Sequence, residues 1–230
     1  DPSHVLAAKA SLDDARYHDP AAFHQLLRDS VAAMQRIRGV ESASVALSVP
    51  YEGIINDYLP VPDGKRTGMG DSSSMTYTTP EYFSALRIPL LAGRDFSESD
   101  TAHSQPVAIV NTAKVRHFFG EPVPLGRHFQ SGKDICTIVG VVGDVLDQSN
   151  VRRDAPIGPD PIYYVPDTQV SPGFLAVAHQ WFQPSWIVRT NGSVPGLTGQ
   201  MQRALAAVDP GLPFSGFYSM QDLLIRQIRM

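Results

Sequence analysis

The stretch Asp19-Pro20-Ala21-Ala22-Phe23-His24-Gln25-Leu26-Leu27-Arg28-Asp29-Ser30-Val31-Ala32-Ala33-Met34-Gln35-Arg36-Ile37-Arg38-Gly39-Val40 decides the fold. Asp19 can accept from the free N–H groups of a first helical turn, and Pro20 brings the φ a first helical residue needs. Phe23, Leu26, Leu27, Val31, Met34 and Ile37 recur at helical spacing. His24, Gln25, Arg28, Asp29 and Arg36 take the other face. Gly39 tolerates the positive φ of a helix stop. His4 to Leu12 before the helix and Val40 to Val49 after it alternate as strands. The segment predicts one β-α-β unit.

The far end repeats the plan. Trp186 to Arg189 reads as a short strand and Asn191-Gly192 as a turn. Leu197 to Val208 is an amphipathic helix with Leu197, Met201, Leu205 and Val208 on one side. Asp209-Pro210-Gly211 ends it, and Leu212 to Tyr218 reads as a strand. Two β-α-β units far apart in sequence are what a split ferredoxin-like sheet needs.

The middle, about Asn56 to Gln183, carries shorter elements. Strands are predicted at Met75 to Thr78, Pro106 to Val110, Asp134 to Val145 and Pro161 to Val165. Short helices are predicted from Thr79-Pro80 to Leu86 and from the cap Asn111 to Gly120. Asp57 to Ser74 and Gln148 to Pro161, rich in proline and glycine, read as mobile loops. The expected class is α+β: a discontinuous split-βαβ subdomain from 1–55 plus 184–230, and an inserted mixed α/β subdomain from 56–183.

Composition narrows the function classes. The 230 residues carry a net charge of −4, which makes a poor nucleic-acid binder, because that affinity needs many Lys/Arg–phosphate contacts. The pairs Arg36/Arg38 and Arg152/Arg153 read as solvated surface. No run of about 18 apolar residues could cross a membrane. The chain opens at Asp1 without a signal peptide, and we expect it to be a piece of something larger. The single cysteine, Cys136, sits among Ile135, Thr137, Ile138 and Val139 and reads as a core residue rather than a nucleophile.

Motifs of catalysis and metal binding are sparse. Gly140-Val141-Val142-Gly143-Asp144 lacks the Lys-Ser/Thr of a phosphate loop and reads as a bulge or close backbone packing. The seven histidines are scattered, and His18 and His24 are separated by a helix start. Asp95, Glu98 and Asp100 cluster without calcium-loop spacing and read as a polar turn. Gly70-Asp71-Ser72 resembles a hydrolase nucleophile turn, but the required Asp-x-x-His near the C-terminus is lacking. Asp100-Thr101-Ala102-His103 has that spacing in the wrong place. Asn191-Gly192-Ser193 fits a glycosylation sequon and is explained by its turn. Phe174, Trp181, Phe182 and Trp186 form either core around the subdomain junction or a docking patch.

Read in order, the chain from its middle onward carries a family pattern. Tyr77-Thr78-Thr79-Pro80-Glu81-Tyr82-Phe83, Gly93-Arg94-Asp95-Phe96, Pro106-Val107-Ala108-Ile109-Val110-Asn111 and Phe118-Phe119-Gly120-Glu121-Pro122 come first. Pro124-Leu125-Gly126-Arg127, Ile138-Val139-Gly140-Val141-Val142-Gly143-Asp144-Val145 and Pro161-Ile162-Tyr163-Tyr164-Val165-Pro166 follow. Val208-Asp209-Pro210-Gly211-Leu212-Pro213 and Ser219-Met220-Gln221-Asp222-Leu223 close the series. Together they resemble the MacB-like periplasmic core domain of MacB/FtsX-type ABC-transporter permeases, nearest in flavour to the duplicated permeases of acidobacteria. Each motif alone is weak; their shared order over residues 77 to 223 is specific. Val123, between Pro122 and Pro124, departs from the pattern.

The resemblance implies a porter-like subdomain (1–55 plus 184–230) and an inserted Sabre-like one (56–183), held outside the cytoplasmic membrane between two transmembrane helices. It implies a non-catalytic domain with no cofactor and no catalytic, cofactor-binding or metal residues. The implied partners are the permease's own transmembrane region, a second permease protomer or half, a periplasmic adaptor and, indirectly, a cytoplasmic ABC ATPase. Two alternatives stay open: a ligand- or lipoprotein-capture module built on the Trp181–Trp186 aromatics, and a serine hydrolase using Ser72 or a neighbour.

Overall fold

The computed structural model describes residues 2–52, 55–58, 61–62, 72–120, 123–145 and 159–228. The chain divides into two compact units, one of residues 1–48, 81–87 and 170–230, the other of residues 49–80 and 88–169.

The first unit contains strands β1 (Val5–Lys9) and β2 (Val40–Ala46), and helices α1 (Pro20–Gln35) and α2 (Tyr82–Leu86). With elements numbered in chain order, this unit also holds α4 (Pro172–Trp181), β11 (Ser185–Thr190), α5 (Leu197–Val208), β12 (Gly216–Ser219) and α6 (Met220–Ile228). Its strands lie in the order β12-β1-β11-β2. The β1–β11, β1–β12 and β11–β2 pairings are all antiparallel. With α1 joining β1 to β2 and α5 joining β11 to β12, this is the split-βαβ arrangement expected from the repeated ends.

Local chemistry explains the elements. The Asp19 side chain accepts from Ala22 N at 3.1 Å and Pro20 opens α1, a cap worth about 1 kcal/mol. Phe23, Leu27 and Met34 face inward and are at most 1% exposed, each stabilising by roughly 1.5–3 kcal/mol. Trp186 Nε1–H donates to the Ser30 hydroxyl at 2.8 Å, so Trp186 lies on the α1 face of the sheet. Side chains alternate across a strand, so Ile187 and Arg189 point to the other face. There α2 covers them: Arg189 Nε–H donates to the Ala85 carbonyl at 2.6 Å. Helices therefore pack on both faces of this sheet.

The second unit begins with β3 (Ile55–Tyr58), β4 (Val61–Pro62), β5 (Ser72–Thr78), β6 (Leu90–Gly93) and β7 (Val107–Asn111). The helical turn α3 (Thr112–Lys114) runs on as a π turn over Val115–Phe119, and β8 (His128–Ser131), β9 (Asp134–Val142) and β10 (Ile162–Pro166) complete the unit. Its strand order is β5-β10-β7-β9-β8-β4, with β3 on β5 and β6 on β9. The β5–β10 and β7–β9 pairs are parallel and the others antiparallel, so this sheet is mixed. Its centre is apolar on both faces: every residue of β7 and β10 is buried.

Several sequence expectations need correction. The first helix ends at Gln35, with Arg36 as its C-cap, so Gly39, at φ +93°, serves the turn into β2 instead. The strand expected over Leu212 to Tyr218 is confined to Gly216–Ser219. The loop expected over Asp57 to Ser74 contains strand residues at both ends and at 61–62; its residues 59–60 and 63–71 lie outside the described residues, as do 148–158 of the second loop. Helix α4 was not expected. Residues 81–87 and 170–183, read with the inserted segment, pack within the first unit, because the apolar sides of α2 and α4 find cover there.

Candidate functional site

Among the described residues, three packed clusters and the exposed side of α4 bring candidate side chains together. The first cluster surrounds Lys114 in the second unit. Asn111 caps α3 by accepting from Lys114 N at 2.9 Å, and the same Oδ1 accepts from Ile162 N at 2.9 Å. This fixes the lysine stem under β10. Lys114 Nζ donates to Ser73 Oγ at 3.0 Å and stands 4.4, 4.8 and 4.9 Å from the ring centroids of Phe118, Phe129 and Tyr163. Ring faces are negative, so three of them receive a buried cation favourably. A serine–lysine pair is also a nucleophile–base combination. Here Ser73 is 1% and Lys114 0% exposed, so no substrate atom reaches the hydroxyl. The pair is built as packing.

The second cluster locks the crossing of two family-pattern segments. Arg94 N donates to Val139 O at 3.0 Å. A Cβ on Gly93 would stand 2.1 Å from Val139 O, and one on Gly140 would stand 2.5 Å from Arg94 O. Gly140 is thus required by close backbone approach, at the register shift between β7 and β9, as its sequence context suggested. The Arg94 guanidinium holds Asp100 through two bonds of 2.7 Å, and Ser97 N donates to the same carboxylate at 2.9 Å. Burial alone would raise the Asp100 carboxyl; the bonds from Arg94 and Ser97 outweigh it and hold it below its ordinary value. Asp95 caps its own turn by accepting from Phe96 N at 2.7 Å. The acidic cluster is therefore a polar turn clamped by an arginine.

The third cluster ties the two β-α-β halves of the first unit. The Tyr17 hydroxyl donates to Asp209 Oδ2, and Asp209 Oδ1 accepts from Gly211 N at 2.9 Å. Burial, then the Asp209 bond, pushes the Tyr17 phenol up to about 12, and the Tyr17 bond lowers the Asp209 carboxyl. Arg189, 1% exposed, also donates to Ser3 O at 3.1 Å; desolvation lowers its pKa. His179 on α4 is 2% exposed, its ring 5.5 Å from that of Phe23. Burial, then the nearby His18, pulls it down to about 4.

The remaining sequence candidates fall as follows. Cys136 is buried opposite Phe129 in the β8–β9 ladder. Among the described residues no group of three or more His, Cys, Asp or Glu converges as a metal site. Gly70 and Asp71 lie outside the described residues, and so do Arg152 and Arg153. Asp100 is committed to Arg94, so it does not orient the exposed His103. Asn191 is exposed and follows β11. The aromatics do not form one group: Trp186 is 0% exposed in the core, edge-on to Phe214, whereas Trp181 is 78% exposed at the end of α4.

That exposed side of α4 carries the two most exposed large apolar side chains among the described residues. Ser171 caps α4 by accepting from Phe174 N at 3.3 Å. Leu175, Ala178 and His179 turn inward, while Val177 is 63% and Trp181 78% exposed on the outer side. Among the described residues no helix is long and apolar enough to cross a membrane. Sequence reasoning passed over Lys114 and α4; the signal available for α4 was Ser171-Pro172, the same cap-and-proline pair that marks α1.

Comparison with known proteins agrees with this architecture. The chain is 26% identical over 144 residues to the probable syringafactin export ATP-binding/permease protein SyfD of Pseudomonas syringae pv. tomato; the match covers 60% of the chain and 19% of that protein. The chain thus spans about a fifth of its relative's length. The fold is similar to that of the periplasmic region of MacB from Actinobacillus actinomycetemcomitans, with TM-score 0.61 and 15% identity, over 99% of this chain and 94% of that one. It is also similar to the extracellular domain of the ABC-type transporter YknZ from Gram-positive bacteria, with TM-score 0.54 and 12% identity, over 91% and 100%. A domain of a putative permease from Porphyromonas gingivalis gives TM-score 0.53 and 17% identity, over 95% and 91%. The family model for the MacB-like periplasmic core domain matches residues 7–203, and the chain belongs to that family.

Proposed function

We propose that this chain is the extracytoplasmic domain of an ABC-transporter permease, a non-catalytic part that passes conformational change between the membrane region and a dimer mate, adaptor or substrate. The observation that carries the reading is the pairing of the first and last strands. Leu6 near the start of β1 stands opposite Ser219 at the end of β12. The chain therefore enters β1 and leaves β12 at the same end of the sheet, an arrangement that suits a domain inserted between two membrane-spanning helices. Family membership supports it. So does the state of the charged clusters, which are spent on packing and capping rather than aimed at a ligand.

The domain would move as folded units. The locked crossing at Gly93 and Gly140 and the Tyr17–Asp209 tie stiffen each unit internally. The test is sided labelling in the intact permease. A cysteine at Val177, in a Cys136→Ser background, is expected to react with a membrane-impermeant maleimide from the extracytoplasmic side. Labelling only after the cytoplasm is opened would overturn the reading, and so would ATP hydrolysis by the isolated domain.

A further inference from the structure

We propose that Asn191 is a site of spontaneous covalent modification: the Gly192 backbone nitrogen displaces its side-chain amide, and the β11–α5 corner acquires an isoaspartate. Asn191-Gly192 is the one Asn-Gly pair in the sequence. The sequence pattern assigns the pair to a turn, yet this turn needs neither residue. Neither lies at positive φ, and a Cβ on Gly192 would meet nothing within 4 Å. The glycine therefore supplies no left-handed conformation and no clearance that another residue would lack. What it does supply is an unobstructed backbone nitrogen next to an asparagine. Asn191 is exposed and directly follows the last residue of β11. Among the described residues, neither its side-chain amide nor the Gly192 N–H is held by a hydrogen bond. The attacking and the attacked group are thus both open to water. The other asparagines differ. Asn111 is 0% exposed, its Oδ1 accepts from Lys114 N and Ile162 N, and Thr112 follows it. Asn56 lies inside β3 before Asp57, and Asn150 precedes the β-branched Val151.

The chemistry needs only water. Hydroxide removes the Gly192 N–H proton, and the nitrogen attacks Asn191 Cγ. The Cγ–Nδ2 bond breaks, and ammonia leaves with a proton taken from water. One water then opens the resulting succinimide. Attack at Cγ gives aspartate; attack at the backbone carbonyl gives isoaspartate, whose main chain runs through Cβ and Cγ. Either product carries one more negative charge than the asparagine. Isoaspartate also adds a methylene to the main chain between residues 191 and 192. Thr190 Oγ1–H donates to Gly192 O at 2.8 Å across that step, and Asn191 N–H donates to Gly39 O at 3.0 Å beside it. Val194 sits so close to the same glycine that a Cβ on Gly39 would stand 2.8 Å from its Cγ2. The modification therefore falls where the corner after α1 meets the corner before α5, within the first unit.

The experiment warms the whole chain in mildly alkaline buffer and maps its peptides by mass. A gain of about 1 Da, –OH in place of –NH₂, is expected at Asn191, with isoaspartate in excess over aspartate. The rate should rise with hydroxide and stay within about tenfold of that in the urea-unfolded chain, because the fold leaves both groups open. Gly192→Ala should slow the loss at least tenfold and keep the fold, since its Cβ has room. Ser193→Ala should leave the rate unchanged. In the isolated isoaspartate form, exchange of the residue 191 amide should accelerate at least fivefold, whereas Asn191→Asp, which adds the charge but keeps the main chain, should not change it. A folded chain that reacts more than about tenfold slower than the unfolded one overturns the proposal, and so does equal loss at Asn56 or Asn111. A sugar-sized mass gain that Ser193→Ala abolishes would overturn it too and assign Asn191 to glycosylation. Unchanged amide exchange in the isoaspartate form would overturn the effect on the corner.

Discussion

Lys114 Nζ lies 3.0 Å from Ser73 Oγ and within 5 Å of three aromatic centroids, fully enclosed in the second unit. The enclosure separates two contributions, the volume of the stem and the charge of its head. Replacing a buried ionic group by an apolar one of similar shape is often near neutral, whereas truncation leaves a cavity. Lys114→Met is therefore expected to cost less than about 1 kcal/mol in urea unfolding, and Lys114→Ala about 2–4 kcal/mol. Equal losses in the two variants would show that the ammonium itself holds the fold.

Stability toward acid should report on His179. Its folded pKa of about 4 lies below the ordinary 6.5, because burial and His18 disfavour the charged ring. Between those values the unfolded chain binds more protons than the folded one, so stability falls as pH drops from about 6.5 toward 4. Asp100 and Asp209, also depressed, contribute stability that is present above the ordinary carboxylate range and lost only below it. His179→Leu should therefore flatten the decline between pH 6.5 and 4 and leave the one below pH 4 in place. The urea midpoint against pH in both proteins is the measurement. An unchanged upper limb would refute the assignment.

Two glycines with positive φ separate backbone strain from steric contact. Gly93 (φ +75°) would place a Cβ 2.1 Å from Val139 O, whereas Gly120 (φ +65°) would meet nothing within 4 Å. Gly120→Ala should cost about 1 kcal/mol, the price of the conformation alone. Gly93→Ala must also push β6 from β9 and is expected to cost at least about 3 kcal/mol or to leave the chain insoluble. Thermal unfolding of the two variants side by side decides it.

The order of these effects tracks what could be read from the residues. The β-α-β ends were legible because polar and apolar faces alternate at 3.6 and 2.0 residues on α1, α5 and their strands. Helix α4 was not, because PGFLAVAHQW has no charged face to contrast with its apolar one. The β8–β9 hairpin turns at Ser131-Gly132-Lys133-Asp134, where Gly132 sits at φ +57°, a signal present in the sequence but weak beside the apolar run that follows. Lys114 could not be placed from sequence at all. A lysine three residues after a cap is ordinarily solvated, and its enclosure depends on Phe129 and Tyr163, brought from distant strands. Gly140 was legible as a tight spot because its neighbours are all apolar, though what it approaches, Arg94 O, came only with the fold.

The Arg189 bonds give a local prediction. Its guanidinium donates to Ala85 O at the end of α2 and to Ser3 O before β1. The helix has only five residues and is bracketed by Glu81 and Arg87, both non-glycine residues at positive φ, so it depends on outside contacts to persist. Arg189→Met keeps the bulk of the stem but leaves those carbonyls without this donor. Amide exchange at residues 82–87 is expected to accelerate at least tenfold while exchange in α1 and α5 stays unchanged. Uniform acceleration across all three helices would show that Arg189 supports the unit globally rather than α2.

The two tryptophans should behave as opposites in solution. Trp186 is wholly buried, its Nε1–H on Ser30 and its ring edge-on to Phe214, while Trp181 stands 78% exposed on α4. Trp181→Phe should therefore leave a blue-shifted emission resistant to acrylamide, and Trp186→Phe a red-shifted one that is quenched readily at micromolar concentration. The substitutions differ in cost as well. Trp186→Phe removes the N–H that Ser30 Oγ accepts, although the hydroxyl still donates to Leu27 O at 3.1 Å, and opens a cavity, so a loss of about 2–3 kcal/mol is expected. Trp181→Phe should change stability by less than about 0.5 kcal/mol, as an exposed site does. Should Trp181 prove shielded from acrylamide, its ring would be folded against the chain rather than held 78% exposed on α4.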